Sequence, residues 1–238
     1  MVKKVSIIIP FYNCAYIDQA LDSVFKQTYL NIEIIVVNDG AIEHTEKLIP
    51  YLNKIVYIEK ENGGTASALN MGLSRATGDY ICWLSSDDVY AENKIKNQLA
   101  FMTETNGFFS YTNYHLINHV GSVTSRGIGI YYPNRIQMLK EMYKGNFING
   151  CTVMIKKEVF DYVGTFDESL TYTHDYDMWL RIIKQFVVYY INEPLLYYRV
   201  HEKMGTMKHA RTIRKEVKRV KATHKSSIQQ VIAQEQAK

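Results

Sequence analysis

Short apolar runs alternate with stretches of helical periodicity through the first half of the chain. Residues 5–9 and 32–37 are continuous runs rich in Val and Ile, typical of strands buried on both faces. Residues 18–27 lie between them and carry apolar side chains at three- and four-residue steps, which predicts an amphipathic helix. The same alternation then predicts a strand over 55–58, a helix over 65–76 and a strand over 80–84. This order favours an α/β fold with a mainly parallel sheet and helices on both faces.

The second half of the chain is less regular. Its apolar spacing predicts helices over 91–102 and 173–184. Strands are predicted over 108–117, over 145–155 with a loop before it, and over 187–190 and 195–200. The composition changes clearly only after about residue 202. We therefore predict a body over residues 1–202 and a separate tail over residues 203–238.

The composition fits one globular domain with a sizeable core. The 238 residues are 47% hydrophobic and 22% charged, which excludes a disordered chain, a collagen-like repeat and a small disulfide-stapled scaffold. The formal net charge of +4 is unevenly spread, because the body carries a balance of −4 and the tail a balance of +8. An acidic body argues against general nucleic-acid binding.

The tail is both basic and amphipathic. From Ile213 to Val231 its apolar side chains recur at three- and four-residue steps, which predicts a helix. One interpretation is peripheral docking on an anionic membrane, where each basic residue contributes about 1 kcal/mol. The other is that the apolar stripe packs on the body or on a partner and leaves the charges in water. A nucleic-acid partner is disfavoured, since no aromatic side chains are interleaved for base stacking.

Cysteine usage and hydropathy indicate a cytoplasmic chain. Cys14, Cys82 and Cys151 are odd in number and widely spaced, which suits buried thiols in a reducing compartment. No apolar run approaches the roughly 18–20 residues that span a bilayer. The first apolar stretch is interrupted too early for a signal peptide. We expect a cytoplasmic protein, or one at the inner face of the membrane if the tail docks there.

Polar clusters follow the predicted strands, at the edge where parallel sheets bind ligands. Pro10 and Tyr12 follow the first strand, Asp39 ends the second, and Asp87 and Asp88 follow a later one. Two adjacent carboxylates repel each other unless a cation joins them, and hard oxygen ligands favour Mg²⁺ or Mn²⁺. The pair could equally cap the helix that follows. Its position at the sheet edge favours a ligand site.

The chain resembles the family 2 glycosyltransferases of the GT-A fold. The resemblance rests on segments that occur in the family's order and spacing and cover nearly all of residues 5–201. These segments are 5–13, 33–40, 62–64, 68–73, 78–80, 84–88, 164–168, 174–181 and 198–201. It implies one GT-A catalytic domain over 1–202, followed by the basic helical tail. Within that domain, residues 1–100 would form the nucleotide-binding half and residues 101–202 the acceptor half.

By that resemblance the donor is a nucleotide-diphosphate sugar, most often UDP-linked. Pro10 and Tyr12 would pack against the base and ribose. Asp39 would accept a hydrogen bond from the uracil ring, and Asp87 would bind the ribose or a metal-linked water. The acceptor would be a glycan or a lipid-linked sugar, and the pathway surface polysaccharide or glycoconjugate synthesis.

The resemblance also implies a metal site and a catalytic base. Asp88 would coordinate the Mn²⁺ or Mg²⁺ that bridges the phosphates, and His201 would complete that site. Asp175 would take the proton of the acceptor hydroxyl as the nucleotide diphosphate leaves. Its position at the start of a helix favours the ionised form, and Asp177 fits better as a polar support. Attack in line with the leaving group of an α-linked donor would invert the anomeric centre.

Four positions depart from the family pattern, among them Leu69 in place of a frequent Arg and Ala41 in place of a common Ser. Ser85 stands where an acidic residue commonly opens the Asp-rich loop, and His174 stands where a Glu often precedes the base. None of these changes removes the metal carboxylates or the catalytic base that the resemblance implies. We therefore expect an active, metal-dependent glycosyltransferase.

Other functions fit the chain less well. A nucleotidyltransferase would carry a Gly-rich, basic phosphate loop after the first strand, and residues 10–13 are not one. A processive synthase is disfavoured because neither spanning helices nor a Gln-x-x-Arg-Trp motif occurs. A catalytically degenerate GT-A module that binds a partner through its tail is the remaining alternative, and the retained carboxylates count against it.

Overall fold

One mixed β-sheet runs through the molecule. A computed structural model describes residues 2–202, 204 and 209–237. Its strands are β1 (Val5–Phe11), β2 (Ile32–Asp39), β3 (Val56–Lys60), β4 (Tyr80–Trp83), β5 (Val89–Tyr90), β6 (Phe109–Ile117), β7 (Val123–Ile128), β8 (Met154–Lys156) and β9 (Val188–Arg199). In this described part the strands follow the order β3-β2-β1-β4-β8-β6-β9-β5, and β7 pairs with β6.

Helices connect and cover the strands. The α-helices are α1 (Ile17–Phe25), α2 (Thr65–Arg75), α3 (Lys94–Glu104), α4 (Arg135–Lys144), α5 (Val159–Val163), α6 (His174–Gln185) and α7 (Ala210–Gln236). Two 3₁₀ helices are formed by Thr45–Tyr51 and Gly150–Thr152. The predicted alternation of strands and helices in the first half is therefore confirmed.

Most of the described strands run in one direction. β1 is parallel to β2 and β4, β2 is parallel to β3, and β6 is parallel to β9. β8 is antiparallel to both β4 and β6, so β6 and β9 share the direction of β4. The carboxyl ends of β1, β2, β4, β6 and β9 therefore meet at one edge of the sheet. That edge is where open parallel sheets bind ligands.

The second half departs from the predicted elements in several places, and it contains the helices α4 and α5, which were not predicted. Predicted strand 145–155 is instead a 3₁₀ turn followed by the short β8. The predicted strands 187–190 and 195–200 are one strand, β9, which continues through register shifts in its pairing with Asn113 of β6. β7 was not predicted, because it is exposed along nearly its whole length and carries no apolar periodicity.

Helix α2 lies unusually close to β1. A Cβ atom on Gly72 would lie 2.4 Å from Cγ2 of Ile8, so only glycine permits this approach. α2 begins beside Gly64, directly after the loop that faces the end of β2. The close contact therefore sets the N-terminus of α2 at the ligand-binding edge of the sheet.

The tail forms the predicted amphipathic helix, α7, and its inner stripe packs on the body. Its buried residues are Glu216, Val220, His224 and Ile228, which recur every four residues and face α4 and α6. Packing of the stripe on the body is thus the interpretation that the structure supports. Contact of the outer basic face with a membrane and the boundary at residue 202 stay predictions. Residues 203 and 205–208 lie outside the described residues.

Among the helices of residues 2–202 and 209–237, none combines the length and apolar character needed to cross a bilayer.

Glu33, near the start of β2, joins three segments at the opposite edge of the sheet. Its carboxylate accepts hydrogen bonds from Ser6 Oγ at 2.6 Å, from Thr77 N and Oγ1 at 2.9 and 2.7 Å, and from Lys4 Nζ at 3.0 Å. Burial alone would raise the pKa of Glu33, but these hydrogen bonds lower it to about 2, from an ordinary value of 4.5.

We expect Glu33→Gln to be less stable than the wild type at neutral pH and to lose less stability in acid. Because the folded-state pKa is depressed, the stabilisation is present above pH 4.5 and is lost as the pH falls toward 2. Glutamine does not titrate and lacks that loss. Urea denaturation midpoints, measured from about pH 6 down to pH 2, give the slope of stability against pH for the wild type and for Glu33→Gln. Glu104→Gln, at an exposed position, is the control. Equal slopes in wild type and Glu33→Gln would contradict the assignment.

Candidate active site

An open cleft lies at the edge where the parallel strands end. Its volume is about 1320 Å³, above the roughly 300–1,000 Å³ of a typical small-molecule pocket, so it has room for two substrates. The predicted site residues that line it are Pro10, Tyr12, Asp39, Asp87, Asp175 and His201. Asp88 does not line the cleft and is fully buried.

The end of β1 presents Pro10 and Tyr12 to the cleft. Phe11, between them, is fully buried in the core, and alternation along the strand turns its neighbours the other way. The Tyr12 side chain is 54% exposed and therefore free to stack on a ligand. Asn13 has a φ of +48° and accepts the backbone N–H groups of residues 42 and 43, which ties this loop to the end of β2.

Asp39 ends β2 and is held from three sides. Its Oδ1 accepts hydrogen bonds from Lys60 Nζ at 2.7 Å and from Gly63 N at 3.0 Å, and its Oδ2 accepts one from Gly64 N at 2.8 Å. The side chain is 5% exposed. Since each carboxylate oxygen has two lone pairs, Oδ2 can still accept one hydrogen bond from a ligand in the cleft.

Asp87 and His201 meet in the cleft although they are 114 residues apart in the chain. Asp87 Oδ2 lies 2.9 Å from His201 Nε2, and the ring of Tyr16 packs edge-on against the imidazole at 5.4 Å. Both side chains keep partial exposure, 27% and 13%. Within the described residues no three His, Cys, Asp or Glu side chains cluster as a metal site. The carboxylate oxygen and imidazole nitrogen of this pair are donor types that a divalent cation such as Mn²⁺ accepts.

Asp88 has a different environment from its neighbour. Its Oδ1 accepts the backbone N–H of Arg199 at 2.8 Å, which fixes the end of β9 against the loop after β4. Burial and the adjacent charge of Asp87 raise the pKa of Asp88 well above its usual range. Asp88 therefore lies in the interior behind the cleft, where it fixes the backbone of Arg199.

Arg199 holds the same junction with its side chain, which is almost completely buried. Its Nε donates to the backbone oxygen of Asp87 at 2.8 Å, and its Nη2 donates to Gln19 Oε1 at 2.7 Å. Its Nη1 lies within hydrogen-bonding distance of the backbone oxygens of Asn118 and His119, at 3.2 and 3.4 Å. One guanidinium thus joins the ends of β4, β6 and β9 to α1. Arg199 lies in the sequence segment 198–201, but nothing in the sequence predicts the four groups that accept hydrogen bonds from its guanidinium.

Asp175 stands in the first turn of α6 and lines the cleft. Its Oδ1 accepts the backbone N–H of Tyr176 at 2.6 Å, and its Oδ2 accepts a hydrogen bond from Asn146 Nδ2 at 2.8 Å. Desolvation raises the pKa of Asp175, which makes its carboxylate a stronger base. Asn146 follows α4 and was not predicted as a site residue, since an isolated Asn in a loop carries no signal.

His174, which precedes this carboxylate, is part of the packed floor of the cleft. Its ring stacks on Trp83 at 5.6 Å and contacts Phe166 edge-on at 5.9 Å. Burial lowers its pKa, which favours the neutral imidazole at neutral pH. The His in place of the family's common Glu therefore removes an acidic charge beside Asp175.

We expect Arg199→Lys to lower the free energy of unfolding by at least roughly 3 kcal/mol, because one ammonium cannot reach all four acceptors. Urea denaturation measures the change. Arg126→Lys, on the exposed strand β7, is the matched control and should change little. Equal stability of the two variants would show that the guanidinium network is not needed.

The fold is similar to that of solved GT-A structures. The chain superposes on Staphylococcus aureus TarS 1–349 in complex with UDP-GlcNAc with a TM-score of 0.74 and 20% identity, covering 97% of this chain and 71% of that one. The mannosyltransferase PcManGT from Pyrobaculum calidifontis, in complex with GDP-Man and Mn²⁺, gives a TM-score of 0.65 at 18% identity, covering 84% and 58%. The predicted GT-A fold is thereby confirmed.

Curated relatives are glycosyltransferases of bacteria. An uncharacterized glycosyltransferase of Rickettsia typhi is 42% identical over 212 residues, which cover 85% of this chain. This chain spans 65% of that relative's length and 35% of a similar one from Rickettsia felis. WfaP of Escherichia coli, a UDP-Glc:α-D-GlcNAc-diphosphoundecaprenol β-1,3-glucosyltransferase, is 33% identical over 204 residues, covering 83% of this chain and 77% of its own.

A family model described as Glycosyl transferase family 2 matches residues 6–164, more than half of the chain. The match includes Asp39 at the end of β2 and Asp87 and Asp88 in the loop between β4 and β5. Together with the relatives, it confirms the resemblance drawn from the sequence segments. The chain belongs to glycosyltransferase family 2.

Proposed function

We propose that this chain transfers a sugar from a UDP-linked donor to an acceptor hydroxyl, with inversion at the anomeric carbon. The observation that carries the proposal is that one cleft holds an acidic–imidazole pair, Asp87 and His201, together with a separate carboxylate of raised pKa, Asp175. A glycosyl transfer needs both functions, one at the leaving diphosphate and one at the attacking hydroxyl.

Asp39 and Tyr12 support the donor side of the proposal. Asp39 is anchored by backbone N–H groups and retains a free acceptor position, which suits the ring N–H of a uracil base. Tyr12 is exposed beside it and can stack on the base, with Pro10 next to it. The relative WfaP, which is named for UDP-Glc, supports a uridine nucleotide as the donor.

Asp87 and His201 are the residues that would hold Mn²⁺ or Mg²⁺. A carboxylate and an imidazole are both ligands of Mn²⁺, and they already lie within 2.9 Å of each other. When bound, the ion would stabilise the charge that grows on the leaving diphosphate. The Mn²⁺ complex of PcManGT is consistent with this role in a protein of the same fold.

The choice of Asp87 revises the role that sequence reasoning assigned to Asp88. Asp88 lies outside the cleft, and its Oδ1 is engaged by the backbone of Arg199. Asp87 faces the cleft and its Oδ2 is paired with His201. We therefore propose Asp87 as the metal ligand on the cleft side. Asp88 stays the alternative that the resemblance gave, since its buried Oδ2 has no hydrogen-bond partner in the described part of the chain.

Asp175 would be the general base. Asn146 donates a hydrogen bond to one of its oxygens, and the lowered pKa of His174 keeps the neighbouring ring neutral. Its raised pKa increases its affinity for the proton of the acceptor hydroxyl. Attack from this side, opposite the leaving diphosphate, would produce a β-linked product from an α-linked donor.

Relatives point to the biological setting. WfaP acts on a sugar linked to diphosphoundecaprenol, and TuaG of Bacillus subtilis, 33% identical over 204 residues, is named for teichuronic acid biosynthesis. We extend this to the present chain as synthesis of a surface polysaccharide or glycoconjugate on a glycan or lipid-linked acceptor.

We expect UDP binding to depend on Mn²⁺ and to depend on Asp87 more than on Asp88. Asp87→Asn should weaken Mn²⁺-dependent binding roughly tenfold or more, because it removes a charged ligand. Asp88→Asn keeps an oxygen for the Arg199 backbone and should change that binding little. Isothermal titration calorimetry with UDP, with and without Mn²⁺, measures both. The reverse ranking would restore Asp88 as the ligand, and tight binding without any divalent ion would exclude the metal role.

We expect Asp175→Asn to retain donor binding and to lower transfer roughly 10²–10⁴-fold, as for loss of a general base. Asn146→Ala should shift the acid limb of the kcat profile to higher pH. The lost hydrogen bond favoured the ionised carboxylate, so its removal raises the pKa of Asp175 further. Release of UDP from a panel of UDP-sugars, measured across the acid range, tests both. Full transfer by Asp175→Asn would assign the base to another residue.

A further inference from the structure

Helix α7 brings a buried carboxylate to the start of the helix that carries Asp175. Glu216 Oε1 accepts the backbone N–H of Thr171 at 3.1 Å. Its Oε2 accepts the backbone N–H groups of Tyr172 and Thr173 at 2.9 and 3.0 Å, and Thr173 Oγ1 donates to it at 3.0 Å. Four hydrogen bonds thus converge on one side chain that is 9% exposed.

This carboxylate serves the start of α6 in place of a local cap. Thr173 is the N-cap residue of α6, and its own side chain makes no capping hydrogen bond within the helix. The first N–H groups of a helix have no intrahelical partner, and the helix dipole favours a negative charge at that end. Glu216 supplies that charge and pairs the amides immediately before the helix. The segment leading to Asp175 is therefore ordered by a residue of the tail.

A second contact lies two turns further along α7. His224 Nε2 is 2.7 Å from Asp177 Oδ1, and the other oxygen of Asp177 accepts a hydrogen bond from Arg181 Nε at 2.9 Å. Val220, midway between the two contacts on α7, is buried. The two polar contacts therefore reach α6 on either side of Asp175, at residues 173 and 177.

The capped segment also forms part of the cleft wall. Thr171 and Tyr172 line the cleft together with Asp175. The ring of Tyr172 stacks on that of His209, which directly precedes α7, at 4.8 Å. α7 is thus in contact with the acceptor side of the cleft through both its polar contacts and its N-terminal end.

We propose that Glu216 is a positioning residue for Asp175, so that α7 belongs to the acceptor side of the active site. The proposal rests on the proposed function for its catalytic consequence. The four hydrogen bonds set the direction in which α6 begins, and Asp175 is its second residue. A base displaced by as little as about 1 Å can lose roughly 100-fold in rate. Loss of the cap should therefore lower kcat without weakening the donor complex.

Hydrogen–deuterium exchange and kinetics of Glu216→Ala test the proposal on the full chain. The amides of Tyr172, Thr173 and Asp177 should exchange at least about tenfold faster, because their local opening becomes easier. The kcat for transfer should fall by up to roughly 100-fold while the Kd for UDP with Mn²⁺ changes by less than about twofold. Glu216→Gln keeps one acceptor oxygen and should recover part of both effects.

Two matched variants on α7 separate positioning from general stability. Lys215→Ala, at the exposed neighbouring position, should leave exchange and kcat unchanged. Val220→Ala should lower the melting temperature by removing buried apolar contacts while the amides before α6 stay protected.

The outcomes decide between the alternatives. Unchanged exchange in Glu216→Ala, faster exchange with unchanged kcat, or an equal loss of kcat in Val220→Ala would each overturn the positioning role. If the wild type transfers no sugar from any donor, the proposed function fails. The exchange data would then decide by themselves whether Glu216 orders the start of α6.

Discussion

The site depends on one buried cation, Arg199, at the junction of three strand ends. A guanidinium removed from water is tolerated only where its N–H groups all find acceptors, and here those acceptors belong to the loops after β4 and β6 and to α1. Asp88 holds the backbone of the same residue from the other side. Since the chain leaves β9 at Arg199, this network decides where His201 emerges and so brings it to Asp87.

The cleft wall around Asp175 is ordered in the same way, by a buried charge of the opposite sign. Glu216 is a buried anion whose acceptors are satisfied by the backbone before α6, and Asp177 links that helix to His224 and Arg181. Each half of the cleft is therefore ordered by a buried, hydrogen-bonded charge from a late segment of the chain. Sheet geometry alone brings the strand ends together, and these buried charges fix the positions of the site side chains at that edge of the sheet.

The strand pattern singled out the polar residues that follow β1 and end β2, and the family resemblance added Asp175. Pro10, Tyr12, Asp39 and Asp175 all line the cleft as expected. The resemblance gave the metal to Asp88, and that assignment stays a prediction. The two adjacent carboxylates have different surroundings in the structure, since Asp87 lines the cleft and Asp88 is buried. Asn146 was overlooked for a related reason, because its role comes from a contact 29 residues away.

By itself, the sequence determined the α/β architecture, the amphipathic nature of the tail and the family of the chain, because these depend on local periodicity and on short segments in a set order. Tertiary structure decided what each charged residue contacts. The tail is the clearest case: its balance of +8 is a property of composition, yet the residue of α7 that reaches the cleft wall is one of its two acidic ones, Glu216. Charge counts describe the surface in water, whereas a buried carboxylate is defined by the hydrogen-bond donors that only the folded chain brings to it.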